Sequence, residues 1–77
     1  MSSWRPCKRQ DFIRRLRKLG FIGPYSGTRH EFIVFEKHRL SIPSNAEYSV
    51  PQLKMMLNEV GLILSRAISV EEWEGLT

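Results

Sequence analysis

A chain of 77 residues with a hydrophobic share of 42% predicts one domain over residues 1–77, since a domain of this size buries only about 60% of its unfolded surface. Such a domain has little room for a deep, walled active site, so an enzyme of this size is expected to act on a large substrate. The single cysteine excludes an intramolecular disulfide and a cysteine-based metal cluster, and it fits a reducing compartment.

The net charge of +4 is unevenly distributed along the chain. Residues 1–40 carry ten Lys and Arg against three acidic residues (10 − 3 = +7), whereas residues 41–77 carry two against five (2 − 5 = −3). A basic half indicates a polyanionic partner, with nucleic acid the first candidate, or else an ordinary solvated helix face. We predict no secretory signal and no membrane span, because no apolar segment follows the charged start and VGLIL is far short of ~20 residues. A cytoplasmic protein is therefore expected.

The segment PCKRQDFIRRLRKLGF predicts an amphipathic helix, with Pro6 in its first turn and Gly20 at its end. One face is apolar and is expected to be buried, while the opposite face presents positive charge. The apolar face consists of Phe12, Ile13, Leu16 and Leu19. The positively charged face consists of Arg14, Arg17 and Lys18, with Arg15 nearer the boundary.

Three strand segments follow this helix. FIGPYSGTR predicts a brief edge strand around residues 21–22 and then an irregular turn, and HEFIVFE predicts a strand that is apolar on both faces and hence central in its sheet. RLSIP alternates, with Leu40 and Ile42 inward until Pro43 ends the pairing. We predict a tight reversal at Lys37 and His38 that joins the last two strands into a hairpin.

Two helices complete the chain. Ser49 is the predicted N-cap of the first, with Pro51 in its first turn and Gly61 as a candidate C-cap. Ser69 stands three residues before Glu72, a capping-box spacing that predicts a short terminal helix. The apolar stripe of the longer helix is Leu53, Met56, Leu57 and Val60.

This order predicts an α+β fold, α-β-β-β-α plus a short C-terminal helix, in which a small antiparallel sheet has helices packed on one face. The other face stays open, and a long ligand can lie there. The chain has no Gly-rich phosphate loop, no dinucleotide fingerprint and no histidine pair at helical spacing. We therefore predict no metal site and no cofactor, and leave open a magnesium ion that arrives with the substrate.

The two histidines are the candidate reactive groups, because imidazole exchanges a proton near neutral pH. RNA carries its own nucleophile, the 2′-hydroxyl beside each phosphate, so one histidine with neighbouring guanidinium groups can suffice for cleavage. His30 begins the central strand, and Arg29, Arg39 and the cations of the first helix are the candidate sources of positive charge. His38 lies eight residues away at the other end of the strand, roughly 25 Å at strand rise, and is expected to be an exposed turn residue.

The residues alone favour a simpler interpretation of His30, a strand-end histidine bonded to a backbone carbonyl, and leave the catalytic one open. Trp4 and Trp73 are expected to pack rather than to stack on bases. Tyr25, in the turn before His30, can stack on a base, but packing is its favoured role.

Four segments in this order, DFIRRLRKLGF, GPYSGTRHEF, LSIP and ISVEEW, resemble the HicA family of bacterial toxins, also called YcfA-like proteins, over residues 8–73. The resemblance implies a fold like the double-stranded RNA-binding domain, a metal-independent endoribonuclease that cuts mRNA, and a HicB-type antitoxin partner that covers the site. The essential histidine of the family follows a glycine-containing turn, which His30 and Gly27 match. Many members have Gly-Ser-His, whereas here Thr28 and Arg29 stand between Gly27 and His30, and the LILSRA connection is longer than usual.

The sequence thus predicts the toxin of a toxin–antitoxin pair, in which His30 transfers the proton for 2′-hydroxyl attack and Arg29 steadies the phosphate. A non-catalytic RNA-binding module of the same fold, and a protein-interaction partner that uses the basic helix, remain open alternatives. The predicted contacts of the cationic helix with the RNA backbone are Lys8, Arg9, Arg14 and Lys18.

Overall fold

The computed structural model describes residues 3–77, which form a three-stranded antiparallel sheet, a two-stranded ribbon and three helices. The predicted α+β class and the order α-β-β-β-α with a short terminal helix are confirmed. In chain order the elements are β1 (Cys7–Lys8), α1 (Arg9–Lys18), β2 (Ile22–Tyr25), β3 (Glu31–Phe35), β4 (His38–Ile42), β5 (Glu47–Tyr48), α2 (Val50–Leu64) and α3 (Val70–Glu74).

The sheet has the order β2-β3-β4, so the strand that is apolar on both faces is central, as predicted. Ile33 at its middle is 0% exposed and belongs to the core, together with Leu40 and Ile42 of β4. Phe32 and Val34 alternate with Ile33 and are only partly buried. The helices therefore cover one face of the sheet and leave the other open.

The core forms where the apolar stripes of the helices meet the covered face. Phe12 of α1 contacts Tyr48 edge-on at 5.4 Å and Trp73 at 5.6 Å between ring centroids. Trp4 packs against the same cluster, so both tryptophans are packing residues, as predicted. The predicted stripe of α2 is confirmed, since each of its members is buried: Leu53, Met56, Leu57 and Val60.

The predicted start of the first helix is wrong. The helix begins at Arg9, and the two residues before it pair with β5 in the register Cys7 to Tyr48 and Lys8 to Glu47. The Arg9 N–H donates to the Ala46 carbonyl at 3.0 Å, which continues this pairing. The ribbon buries both Cys7 and Tyr48, so tertiary pairing prevails over the helical signal of Pro6.

The strand boundaries also differ from the prediction. The edge strand runs over Ile22–Tyr25, while Phe21 before it is buried in the core. The hairpin turn lies at residues 36–37, and His38 is the first residue of β4, paired with Phe35. The two histidines are therefore separated by the length of β3, roughly 17 Å at strand rise rather than the longer distance predicted. They still lie at opposite ends of the hairpin.

Both predicted N-caps are confirmed, but the predicted C-cap at Gly61 is wrong. Ser49 accepts a hydrogen bond from the Gln52 N–H at 3.4 Å, and Ser69 accepts one from the Glu72 N–H at 3.1 Å. Helix α2 continues three residues past Gly61 and ends at Leu64, because Ser65 takes the left-handed conformation (φ 61°) that terminates a helix.

Within residues 3–77, none of the helices combines the length and the apolar character needed to cross a bilayer.

The face assignment of β3 predicts a matched pair of mutational effects. Ile33→Ala should lower the free energy of unfolding by about 2–5 kcal/mol, because it opens a cavity in the core. Val34→Ala should cost about 1 kcal/mol or less, because Val34 remains partly exposed on the open face. Urea denaturation of both variants measures the difference. A larger loss for Val34→Ala than for Ile33→Ala would mean that the faces are reversed.

Candidate functional site

His30 lies immediately before β3, at the end of an irregular turn, and its side chain is exposed. An imidazole in this position is accessible to a large substrate. The turn and the open face of the sheet form a shallow depression around it. This depression, the His30 cleft, is lined by Ser26, Gly27, Thr28, Arg29, His30, Phe32, Arg39 and Ser41.

Gly27 fixes the shape of the turn that carries His30. A Cβ atom at this position would lie 2.4 Å from the backbone carbonyl oxygen of His30 and 3.3 Å from the Phe32 ring. Two heavy atoms cannot approach so closely without movement of the backbone. The absence of a side chain at Gly27 therefore lets the turn fold back against His30 and sets where β3 begins.

Two guanidinium groups belong to the His30 cleft. Arg29 precedes His30 and is exposed, and Arg39 reaches the cleft from β4. The Arg39 guanidinium carbon lies 4.6 Å from the centroid of the Phe32 ring, a cation–π contact that holds the positive charge against the open face. The structure thus brings together three residues identified from the sequence: Arg29, His30 and Arg39.

Arg9 connects the first helix to the end of the hairpin where His30 lies. It forms an ion pair with Glu31, the residue after His30, and its Nε donates to the Pro43 carbonyl at 3.2 Å. The Tyr48 hydroxyl donates to the same carbonyl at 2.6 Å. Burial raises the pKa of Tyr48 further above neutral pH, where the phenol is already protonated and able to donate. Arg9 has structural partners here, and its predicted contact with RNA stays a prediction.

The other cations predicted to bind RNA are dispersed along the basic half. Lys8 is exposed in β1, opposite Glu47. Arg14 and Lys18 lie about 7.5 and 13.5 Å beyond Arg9 along the helix axis at 1.5 Å per residue. Arg14 pairs with Asp11 at 3.1 Å, and the Lys18 ammonium donates to the Thr77 carbonyl at 2.7 Å. None of the three lines the His30 cleft.

Arg15, at the boundary of the predicted cationic face, is a packing residue. Its guanidinium lies 5.2 Å from the Trp73 ring centroid, and its Nη1 donates to the Trp73 carbonyl at 3.2 Å. This contact helps to fix α3 against α1.

Residues 3–77 contain no group of three or more His, Cys, Asp or Glu side chains that is placed to hold a metal ion. The free thiol of Cys7 is buried in the core, and this burial raises its pKa. A raised pKa disfavours the nucleophilic thiolate, so Cys7 is a structural residue.

A second depression on the open face was not identified from the sequence. Its lining includes Ile22 and Tyr25, which are 59% and 46% exposed, and it shares Ser26, Phe32 and Arg39 with the His30 cleft. The alternation of β3 places Phe32 on the open face, but the sequence does not indicate which β2 side chains accompany it.

The contacts of Arg9 predict that two arginines of one helix differ in their effect on stability. Arg9→Met should cost about 1–2 kcal/mol of unfolding free energy, a value reduced by solvent screening because the Glu31 side chain is 43% exposed. Arg14→Met should stay within about 0.5 kcal/mol, because its ion pair is exposed. Thermal and urea unfolding measure both, and equal losses would contradict the structural role of Arg9.

No family model, no curated protein and no solved structure matches this chain. The resemblance to the HicA family therefore rests on the sequence segments quoted above.

Proposed function

We propose that this protein is a HicA-type toxin, a metal-independent endoribonuclease that cuts mRNA in the cytoplasm. The observation that carries the proposal is the position of an exposed imidazole, His30, in one open cleft with the guanidinium groups of Arg29 and Arg39. The resemblance to the HicA family supplies the substrate class and the partner, a HicB-type antitoxin that covers this cleft.

The chemistry begins at the ribose beside the scissile phosphate. His30 accepts the proton of the 2′-hydroxyl, the 2′-oxygen forms a bond to phosphorus, and the bond from phosphorus to the 5′-oxygen breaks. The leaving 5′-oxygen takes a proton from solvent, which reaches the cleft because it is shallow. The products are a 2′,3′-cyclic phosphate and a 5′-hydroxyl end.

The arginines neutralise the charge that develops on phosphorus. The phosphorane that forms during attack carries more negative charge than the phosphate diester, and guanidinium groups match the spacing of its equatorial oxygens. Arg29 is the group adjacent to His30 in sequence, and Arg39 approaches from the neighbouring strand. Cations on two elements can thus contact one phosphate from two directions.

The shape of the cleft agrees with a polymeric substrate. A site for a small molecule is usually a concavity that buries most of its ligand. The His30 cleft is instead a shallow depression on an open sheet face, so much of the binding energy has to come from neighbouring nucleotides. The excess of cations in the basic half, +7 over residues 1–40, supports long-range attraction of a polyanion to this protein.

His30→Ala is expected to abolish cleavage of single-stranded RNA, because no second histidine lies at this end of the hairpin. His38→Ala is the matched control and should cut at the rate of the unsubstituted chain, because His38 lies at the far end of β3. Cutting should persist in EDTA and leave a 2′,3′-cyclic phosphate. Gel analysis of end-labelled RNA measures rate and end group together.

Equal cutting by His30→Ala and the unsubstituted chain would exclude this mechanism. Tight RNA binding by both proteins without any cleavage would instead favour a non-catalytic RNA-binding module on the same fold.

Gly27→Ala is expected to reduce cleavage at least tenfold while the domain remains folded, because the added methyl group displaces the turn and His30 with it. Gly75→Ala, a glycine-to-alanine control at the end of α3, should retain full activity, because its φ of −75° suits alanine. Cleavage assays and circular dichroism of both variants test this. Full activity of Gly27→Ala would show that the turn does not position the imidazole.

A further inference from the structure

An aromatic strip extends the open face beyond the His30 cleft. In a regular strand, residues three apart point to opposite faces. A bulge in β2 changes this, since Ile22 pairs with Val34 and Tyr25 pairs with Phe32. Gly23 within the bulge has a φ of +128°, which side-chain-bearing residues rarely adopt. The bulge therefore places two large side chains of β2 on the open face.

Tyr25 is held at its position but leaves much of its surface free. Its ring lies 5.6 Å from that of Phe32 with an angle of 34° between the planes, and the side chain is 46% exposed. It is absent from the core cluster, which lies on the other face of the sheet. An oriented aromatic ring with an exposed surface can stack on a nucleobase.

The strip is continuous with the candidate site. Ser26, Phe32 and Arg39 line both depressions, so a strand of nucleic acid bound at His30 can continue along the open face towards Tyr25. The charges around the strip also favour RNA, because two cations, Arg39 and Lys37, and one acidic side chain, Glu36, belong to its lining. The Arg39 guanidinium over Phe32 adds a cation between the ring and a nearby phosphate.

We propose that Tyr25, supported by Phe32, stacks on an unpaired base next to the phosphate bound at His30. This inference rests on the proposed function and narrows its substrate to RNA that is single-stranded beside the cleavage position. A base within a duplex is already stacked on its neighbours and is not free to lie on a protein ring. The open face thus selects unpaired RNA without reading its sequence.

The test uses RNA binding by chains that carry His30→Ala, so that cleavage does not complicate the measurement. Fluorescence anisotropy with a labelled single-stranded RNA measures the affinity of three variants, each of which carries one further substitution. Tyr25→Ala should weaken binding about 5- to 150-fold, the range expected for loss of one stacked base. Tyr25→Phe keeps the ring and should stay within about twofold. Leu62→Ala, which removes an apolar side chain that is 75% exposed on α2, should have no effect.

Two altered ligands make the test specific for stacking. Tyr25→Ala should not change affinity for a fully paired duplex of the same sequence. In a series of single-stranded RNAs, each with one abasic site at a different nucleotide, Tyr25→Ala should no longer weaken binding when the abasic site replaces the stacked base. Equal weakening on single-stranded and duplex RNA, or no weakening on either, would overturn the proposal.

A protein contact at this face gives a different result. If the strip bound a second copy of the chain, Tyr25→Ala would convert a dimer to a monomer in sedimentation without changing RNA affinity, and the proposal would be wrong.

Failure of the stacking proposal can also be distinguished from failure of the proposed nuclease activity. Cleavage that depends on His30 with binding that does not depend on Tyr25 rejects only the stacking. Binding that depends on Tyr25 without any cleavage rejects only the nuclease.

Discussion

The alternation of side chains along β3 is the constraint on which the rest of the structure depends. Ile33 points into the core, where it joins the cluster formed by the apolar stripes of α1 and α2. Phe32 and Val34 then point outward, and a shift of one residue in register would reverse every one of these assignments. The open face carrying Arg39 is therefore a consequence of how the core is built.

Two contacts connect this core to the candidate reactive group. Arg9 binds Glu31 and the Pro43 carbonyl, which joins the start of α1 to both strands of the hairpin at the end where His30 lies. Gly27 lets the preceding turn fold against the His30 carbonyl. Arg9, one of the cations of α1, thus stabilises the fold. Arg9 therefore stabilises the end of the hairpin that carries His30, while Gly27 shapes the turn before it.

The sequence predicted the features that have a local cause. The α2 stripe, the caps at Ser49 and Ser69 and the central position of β3 each follow from periodicity or capping within a few residues. Features caused by distant pairing were missed. Cys7 and Lys8 have no strand periodicity of their own and are fixed by β5, about forty residues away. The partners of Arg9 and the bulge that exposes Tyr25 are likewise set by tertiary contacts, whereas the cluster of Arg29, His30 and Arg39 follows from the hairpin itself.

The most direct test of the account is where RNA lies on the folded chain. Amide chemical-shift mapping of the ¹⁵N-labelled protein with a single-stranded RNA whose riboses are all 2′-O-methylated observes the complex without cleavage. The largest shifts are expected in residues 26–32 and 39–41, on the turn and the open face. Shifts confined to the exposed surfaces of α1 and α2, with residues 26–32 unchanged, would contradict it.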